Sequence, residues 1–553
     1  MRMTPRLAAH GDARAQRSKR HANVGSRTAK VAATHGSCRG WPRSCLHSSH
    51  ASERVSRGKA IMDVELSKAE VVATEEEAEP PGLGLAPTLP THTTPAEDAQ
   101  VHKRLLEGDF WRLIPAYRDV DEATFLDHHW QSQHAVTRVD KLAATLRELL
   151  PEPFFRDVQA GLTRAPMSLR ISPYIMSLID WRDPYSDPLR KQFLPLGSEQ
   201  IADHPMVGYD SLHERSDSPV EGLVHRYPDK ALFLALDLCP VYCRFCTRSY
   251  SVGVDTEGVA KYHLRAKPER WEKAFQYIRE HEQIEDVVIS GGDVHNLRAD
   301  QIADIGDTLL DIPHVRRMRF ATKAIAVQPT KFLTDDEWVS ALTTVAHRGR
   351  RLGKEVVVHT HVSHPREITW ITQRATRRLY AEGVTVRNQC VLLRGVNDDP
   401  AVLRTLVKRL SYINVQPYYV YQHDLVPGVE DLRTTLGTTL DIEKQVRGAT
   451  AGFNTPTFVL DAPGGGGKRD VHSHEHYDRT TGVSVFRSPN VDENAVYLYF
   501  DPIELLPEDG RRRWADPKEH ASIIGNAVLA AGRDPNSLPN GWGVNQRRRL
   551  PVM

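Results

Sequence analysis

The chain of 553 residues has no apolar run long enough to span a membrane, few cysteines and almost no net charge. A membrane helix needs about 20 consecutive apolar residues, so no membrane association is expected. Six cysteines are too few for a disulfide framework, and reduced thiols are typical of a cytoplasmic protein. The net charge of +1 disfavours nucleic acid as a partner, because nucleic-acid-binding domains usually carry a clear basic excess.

The first hundred residues have the composition of a disordered extension. Residues 1–60 carry 13 Lys or Arg and two acids, Asp12 and Glu53, whereas residues 63–100 are acidic and rich in proline and threonine. Neither composition can bury a core, which predicts disorder over residues 1–100. The basic part has features of an organellar transit peptide. An over-extended translation start, with Met62 as the true first residue, explains it equally well.

The rest of the chain has the periodicity of an α/β protein. Helical spacing of apolar residues predicts a helical N-terminal domain over residues 101–222. Six apolar runs then alternate with helical stretches, which predicts a parallel sheet with right-handed crossovers over residues 223–470. A C-terminal extension over residues 471–553 is assigned to oligomerisation, with a disordered tail. The runs are residues 231–238, 286–290, 317–322, 355–362, 384–393 and 413–421, and the helices are residues 268–282, 299–310, 335–349, 368–382 and 401–410.

Polar side chains end each of these predicted strands. In parallel α/β barrels, chemistry collects at the carboxyl ends of the strands, so one site is expected there. The residues are Cys239, Ser290 to Asp293, Lys323, His359 and His361, Gln389, Tyr421 and Asp424.

Three cysteines, Cys239, Cys243 and Cys246, lie within eight residues in the sequence LDLCPVYCRFCTR. A structural zinc site or a closed electron-transfer cluster takes four protein ligands. Three thiolates on a four-iron cluster instead leave one iron open, which is what radical S-adenosylmethionine (SAM) enzymes need. The alternatives are a zinc site completed by a distant ligand, or no metal at all. The other three cysteines form no second CxxC pair.

A short glycine motif, Ser290, Gly291, Gly292 and Asp293, ends the second predicted strand. Paired glycines let backbone groups approach a ligand closely, and Asp293 can accept a hydrogen bond from an ammonium group. These residues are candidates for binding the amino group of SAM. The alternative is a tight turn in which Asp293 is a helix N-cap.

Four consecutive glycines precede Lys468 in the sequence DAPGGGGK. A mobile lysine can form a Schiff base with an aldehyde cofactor, because desolvation lowers the pKa of its amine. The alternative is a flexible loop with a solvated lysine. Pyridoxal phosphate (PLP) also needs a phosphate anchor, and Arg226 and Lys230 offer two cations beside the first predicted strand.

Together these motifs resemble the lysine 2,3-aminomutase family, whose members are radical SAM enzymes that also carry PLP. The resemblance covers about residues 105–505. It rests on HRYPD at 225–229, CPVYCRFCTR at 239–248, SGGD at 290–293, HPREIT at 364–369, NQ at 388–389, LLRGVND at 392–398, PYYVYQ at 417–422 and PGGGGK at 463–468.

The resemblance implies a partial (β/α)6 radical SAM barrel, with a helical N-terminal domain and a C-terminal extension. It also implies a [4Fe–4S] cluster, SAM and PLP as cofactors. The site residues that it implies are Cys239, Cys243 and Cys246 for the cluster, Lys468 for PLP, Arg226 and Lys230 for its phosphate, Ser290, Gly291, Gly292, Asp293, His361 and Gln389 for SAM, Arg248 for the substrate carboxylate, and Asp424 and Asp461 for a distant substrate ammonium.

The leading hypothesis is therefore a 2,3-aminomutase that moves the α-amino group of a cationic amino acid to Cβ, converting L-lysine to β-lysine. The alternatives are arginine or glutamate as substrate, a lysine aminomutase that modifies a translation factor, and a non-catalytic iron–sulfur protein. The expected partners are a small amino acid, an external one-electron reductant of the flavodoxin or ferredoxin type, and further copies of this chain.

The chain departs from the family pattern at several positions. Lys230 stands where the family typically has arginine, and Phe245 where it has histidine. Ser249 and Tyr250 replace further arginines, and no cysteine follows Cys390, so the zinc site of well-known members is absent.

Overall fold

The computed structural model describes residues 100–535 and Leu538, all within one compact unit, Pro90–Met553. The predictions for residues 1–99 and for the tail beyond Leu538 lie outside the described residues. In the described part of the chain, no helix combines the length and the apolar character that crossing a membrane requires.

The N-terminal region of the described chain is helical, as expected, but its helices are short. Four of them begin at an N-cap whose side chain accepts a hydrogen bond from a first-turn backbone N–H, at Asp121, Asp127, Ser172 and Asp187. The helices are α1 (Glu122–Leu126), α2 (His128–Gln133), α3 (Val139–Leu146), α4 (Glu152–Arg164), α5 (Pro173–Leu178) and α6 (Pro188–Phe193), with 3-10 turns at Val101–Lys103, Phe110–Leu113, Pro115–Tyr117 and Arg147–Leu149.

Nine strands form a single sheet whose order follows the chain. Strands β2 to β8 are parallel, and β1 and β9 are antiparallel strands at the two edges. Within the described residues β1 does not pair with β9, so the barrel is partial. The strands are β1 (Leu223–Tyr227), β2 (Lys230–Leu236), β3 (Asp286–Gly291), β4 (Arg317–Thr322), β5 (Glu355–His361), β6 (Thr385–Val391), β7 (Val415–Tyr421), β8 (Thr457–Ala462) and β9 (Gly467–Asp470).

The helices between these strands are α7 (Pro268–Glu280), α8 (Ala299–Asp311), α9 (Ala324–Val327), α10 (Lys331–Thr334), α11 (Asp336–Arg351), α12 (Trp370–Ala381), α13 (Pro400–Tyr412) and α14 (Leu436–Val446). The six predicted strands correspond to β2 to β7, and the five predicted helices correspond to α7, α8, α11, α12 and α13. The α/β fold class is thereby confirmed. The sequence did not predict β8, a seventh parallel strand that extends the sheet beyond β7.

The C-terminal region folds back onto the same core. A second antiparallel sheet consists of β10 (His474–Asp478), β11 (Val483–Ser488) and β12 (Asp492–Phe500), followed by α15 (Glu508–Ala515) and α16 (His520–Ala530). Val485, Phe486 and Leu498 are fully buried and share one hydrophobic cluster with the barrel strands. The predicted boundary near residue 470 lies between β9 and β10.

Candidate active site

The carboxyl ends of the parallel strands bring the polar residues of the sequence motifs to one end of the barrel. In the sheet register His361 of β5 is opposite Gln389 of β6, and Asp461 of β8 is opposite Lys468 of β9. Cys239 follows β2, Gly291 ends β3 and Tyr421 ends β7. The strand order therefore gathers residues that are far apart in the chain.

The glycine motif has a structural role in placing the cysteines. Gly291 has φ +119°, and a Cβ atom on it would lie 2.1 Å from the carbonyl oxygen of Leu236. A Cβ on Gly292 would lie 2.3 Å from the carbonyl oxygen of Leu238. Glycine is thus required because Gly291 and Gly292 pack closely against the backbone that leads into Cys239. The sequence had suggested that the glycines approach a ligand.

Residues 239–246, here called the thiol loop, carry three free cysteines surrounded by apolar side chains. Met167, Tyr242 and Val252 pack against Cys239 and Cys246, and a second cluster around Phe245 packs against Cys243. Burial raises the pKa of all three thiols, that of Cys243 to about 12. The thiols therefore become thiolates only with a strong positive partner, which a metal site supplies.

The geometry of the described residues does not favour a single-ion site. Within residues 100–535, no three His, Cys, Asp or Glu side chains are grouped as they would be around one metal ion. In a cluster of several irons each thiolate binds a different iron, so the three sulfurs need not converge on one point. Three free thiols in an apolar setting fit such a cluster.

Positive groups face the thiol loop. They oppose the effect of burial on the thiol pKa values: Arg170 at Cys239, Lys323 at Cys243, and Arg248 and Lys261 at Cys246. Of these four residues, only Arg248 belongs to a sequence motif. Sequence reasoning therefore noted Lys323 only as a strand-end residue and missed Arg170 and Lys261.

Asp293 is an N-cap, as the alternative reading proposed. Its Oδ1 accepts a hydrogen bond from the backbone N–H of His295 at 2.9 Å, and its Oδ2 accepts one from the backbone N–H of Lys323 at 2.7 Å. The carboxylate therefore joins the turn after β3 to the end of β4. Lys323 in turn donates through Nζ to the carbonyl oxygen of His361 at 2.8 Å.

His361 lies beside the thiol loop in its neutral form. Burial, with the help of Lys323, holds its pKa well below the usual value. Its Nε2 lies 3.1 Å from the hydroxyl of Ser363, and its ring centroid is 5.7 Å from that of Phe245. A neutral imidazole at this position can donate or accept one hydrogen bond but adds no charge near the thiols.

Lys468, Asp461, Asp424 and Tyr421 form a second group, here called the amine pocket. The Lys468 ammonium lies 3.2 and 3.3 Å from the two carboxylate oxygens of Asp461 and 5.5 Å from the ring centroid of Tyr421. The Lys468 side chain is 41% exposed, whereas that of Asp461 is 11% exposed. The register of the β8–β9 hairpin places Lys468 opposite Asp461.

The expected lowering of the Lys468 pKa is wrong for this structure. Burial by itself would lower the pKa of the amine, but Asp461, Tyr421 and Tyr227 together outweigh burial and the pKa is raised. An ammonium beside a carboxylate keeps its proton, so the amine here is held charged. Sequence reasoning considered the desolvation of Lys468 and not its partner across the hairpin.

Asp424 is the other carboxylate of the amine pocket. Burial raises its pKa to about 7, and the negative charge of Asp461 adds to that effect. The Thr247 hydroxyl donates to its Oδ2 at 2.5 Å, which links the pocket directly to the residue after Cys246.

Arg248 is held by a residue that the sequence did not single out. Its Nε and Nη2 donate to the two carboxylate oxygens of Glu214 at 2.9 and 2.7 Å, and Tyr250 donates to the same carboxylate at 3.0 Å. Arg248 and its hydrogen bonds hold the pKa of the buried Glu214 carboxyl below its usual range. The two-point contact fixes the plane of the guanidinium.

The two predicted phosphate cations occupy different surroundings. Arg226 donates through Nε to Asp217 at 2.7 Å, and a Cβ on Gly465 of the glycine loop would lie 4.0 Å from this nitrogen. Lys230 instead pairs with its neighbour Asp229 at 2.8 Å and lies 4.3 Å from the ring centroid of Tyr227. The structure thus places Arg226 beside Gly465, in the glycine run that precedes Lys468, and pairs Lys230 with Asp229 and the Tyr227 ring.

Comparison with known proteins agrees with the motif content. Residues 442–530 match a family model described as lysine-2,3-aminomutase. An L-lysine 2,3-aminomutase of Clostridium subterminale is 37% identical over 401 residues, which are 72% of this chain and 89% of that protein. An L-lysine 2,3-aminomutase of Bacillus subtilis (strain 168) is 39% identical over 80% of this chain and 89% of its own. A glutamate 2,3-aminomutase of Clostridioides difficile (strain 630) is 32% identical over 63% and 76%.

Proposed function

Because the chain belongs to the lysine 2,3-aminomutase family and is an aminomutase, an isomerase, we propose that it converts L-lysine to β-lysine. The proposed reaction moves the α-amino group of lysine to Cβ.

The observation that carries the choice of substrate is the presence of two carboxylate side chains, Asp424 and Asp461, in the amine pocket. Asp461 already binds one alkylammonium group, that of Lys468. Asp424 lies close enough to Asp461 that the negative charge of Asp461 helps to raise the pKa of Asp424. When Lys468 is bonded elsewhere, both carboxylates are available to the distant ammonium of a lysine substrate. A glutamate side chain would place a third carboxylate in the same pocket, which like-charge repulsion disfavours.

The proposed cofactors are a [4Fe–4S] cluster on Cys239, Cys243 and Cys246, SAM, and PLP on Lys468. When bound, the cluster and SAM supply a radical that abstracts hydrogen, and PLP supplies a conjugated ring that stabilises the nitrogen shift. An external one-electron donor of the flavodoxin or ferredoxin type completes the set.

Residues of the chain orient the substrate and protect it from water. Arg248, fixed by Glu214, presents its remaining N–H groups to the substrate carboxylate. Asp424 and Asp461 bind the other end of the substrate. The apolar cluster around Phe245 and Leu393 shields the thiol loop from solvent.

Anaerobic turnover tests the proposal directly. The purified chain is reconstituted with iron and sulfide and supplied with SAM, PLP, a reductant and lysine, arginine or glutamate in separate reactions. We expect β-lysine as the main product. A preference for glutamate would contradict the substrate assignment, and β-arginine in preference to β-lysine would redirect it to the other cationic amino acid.

The attachment of PLP is tested by borohydride reduction followed by peptide mapping. We expect the pyridoxyl group on Lys468. Lys323 and Lys230 are the internal comparisons, because each lies near the barrel strands but is paired elsewhere. A pyridoxyl group on either of them would contradict the role assigned to Lys468.

A further inference from the structure

A buried lysine outside every recognised motif contacts the backbone behind the thiol loop. Lys261 is 8% exposed, and its Nζ donates to the carbonyl oxygen of Pro166 at 2.6 Å and to that of Ser249. Its Nζ also lies 3.8 Å from the sulfur of Met167. The contact with Pro166 spans 95 residues of the chain, and the contact with Ser249 spans 12.

Each of these contacts leads directly to the cysteines. The backbone N–H of Ser249 donates to the carbonyl oxygen of Cys246 at 3.0 Å, so Lys261 holds the turn that follows the last cysteine. Met167 belongs to the apolar cluster that packs against Cys239 and Cys246. The turn from Cys246 to Ser249 therefore lies between the Lys261 ammonium and Cys246, and the Met167 side chain packs against both Lys261 and the cysteines Cys239 and Cys246.

On the premise of the proposed function, we infer that Lys261 is a positioning residue for the iron–sulfur cluster, and that the positive charge of its ammonium group stabilises the reduced, more negative cluster. A charge buried behind the thiol loop acts with little solvent screening, because its surroundings are apolar and exclude water. Iron–sulfur reduction potentials respond to the net charge, hydrogen bonding and solvent exposure around the cluster. Burial lowers the pKa of Lys261 to about 8, so its charged form predominates below that pH, where the potential is to be measured.

The chain provides a matched control in Lys354. This lysine is also 8% exposed, and its Nζ donates to two backbone carbonyl oxygens, those of Leu310 at 2.8 Å and Ile312 at 2.6 Å. It precedes β5 and so lies at the amino ends of the strands, opposite the thiol loop. A substitution there removes a buried ammonium with the same bonding but leaves the cluster surroundings unchanged.

The experiment compares the full-length wild-type enzyme with Lys261→Met, Lys261→Gln, Lys261→Arg and Lys354→Met after anaerobic reconstitution. The midpoint potential of the cluster is measured by redox titration followed by electron paramagnetic resonance, and SAM cleavage is measured without amino acid. Methionine removes charge and hydrogen bonds, glutamine removes the charge but retains a donor, and arginine retains both.

We expect a more negative midpoint potential and about tenfold slower SAM cleavage in Lys261→Met and Lys261→Gln. Lys261→Arg should resemble the wild type, and Lys354→Met should lose thermal stability with an unchanged potential. An unchanged potential in a folded Lys261→Gln protein would overturn the inference, as would an equal shift in Lys354→Met. A wild-type protein that takes up no cluster would instead contradict the proposed function itself.

Discussion

The thiol loop and the amine pocket lie at the same end of one barrel but carry opposite kinds of fixed charge. Arg170, Lys323 and Lys261 face the cysteines. Asp461 contacts the Lys468 amine, and Asp424 interacts with it electrostatically. One region is thus arranged to stabilise negative charge and the other to hold a cation. The difference shows how a single site can accommodate an anionic metal cluster and a cationic amino acid.

The two residues that follow the thiol loop contact groups assigned to the substrate. Thr247 donates to Asp424 of the amine pocket, and Arg248 pairs with Glu214. They are the first and second residues after Cys246, so a displacement of the thiol loop would also move the groups that we assign to the substrate. We therefore expect changes in the thiol loop to have larger effects than changes in the amine pocket.

The largest expected effect is that of Cys243→Ala. Loss of one of three thiolates should prevent stable cluster binding and abolish SAM cleavage, measured as 5′-deoxyadenosine, while the fold persists. Cys390→Ala is the matched control, since Cys390 is a free, buried cysteine in β6 outside the thiol loop. Full SAM cleavage by the Cys243→Ala protein would contradict the cluster assignment.

Changes in the amine pocket should weaken lysine turnover without affecting the cluster. A hydrogen bond to a charged group contributes roughly 1.5–3 kcal/mol, so Asp424→Asn and Asp461→Asn should each lower kcat/KM for lysine about ten- to a hundredfold. SAM binding, measured by calorimetry, should be retained. Normal lysine turnover by both variants would show that the pocket does not bind the substrate ammonium.

Glu214→Gln should affect substrate affinity more than the chemical step. Without the ionic two-point contact Arg248 is less firmly oriented, so KM for lysine should rise by roughly tenfold with a smaller change in kcat. Glu199→Gln is a suitable control, because Glu199 also makes a two-point contact with a buried arginine, Arg190, in the N-terminal region. A loss of kcat with unchanged KM would argue against an orienting role for Glu214.

The smallest expected effect is a pH dependence that belongs to the amine pocket alone. The pKa of Asp424 is raised to about 7, so this carboxyl becomes protonated as the pH falls through that value and no longer attracts an ammonium. kcat/KM for lysine should therefore decrease several-fold below about pH 7. The acid limb should be absent in Asp424→Asn, and a limb that persists there would assign it to another group.

The same raised pKa has a consequence for stability. The folded protein binds a proton on Asp424 more tightly than the unfolded chain does, so this group stabilises the fold at low pH. That contribution is lost as the pH rises toward about 7. In the cofactor-free protein, Asp424→Asn should raise the melting temperature more at pH 8 than at pH 5.

Much of the barrel could be predicted because its signals are local. Alternating apolar runs and helical stretches identified β2 to β7, and the spacing of the cysteines identified the thiol loop. The missed strand β8 is as long as β3 and β4, but its apolar stretch, Phe458 to Leu460, is only three residues and is followed by Asp461. Its assignment depends on pairing with β7, and such pairing is a tertiary contact.

The sequence by itself determined which chemical groups are available and the order in which the strands present them. Only the tertiary structure decided which charges meet. Glu214 pairs with Arg248 across 34 residues, Lys261 binds Pro166 across 95, and Thr247 binds Asp424 across 177. Lys468 remains charged because the hairpin sets Asp461 opposite it. Protonation and ion pairing depend on distances in space, and separation along the chain does not specify those distances.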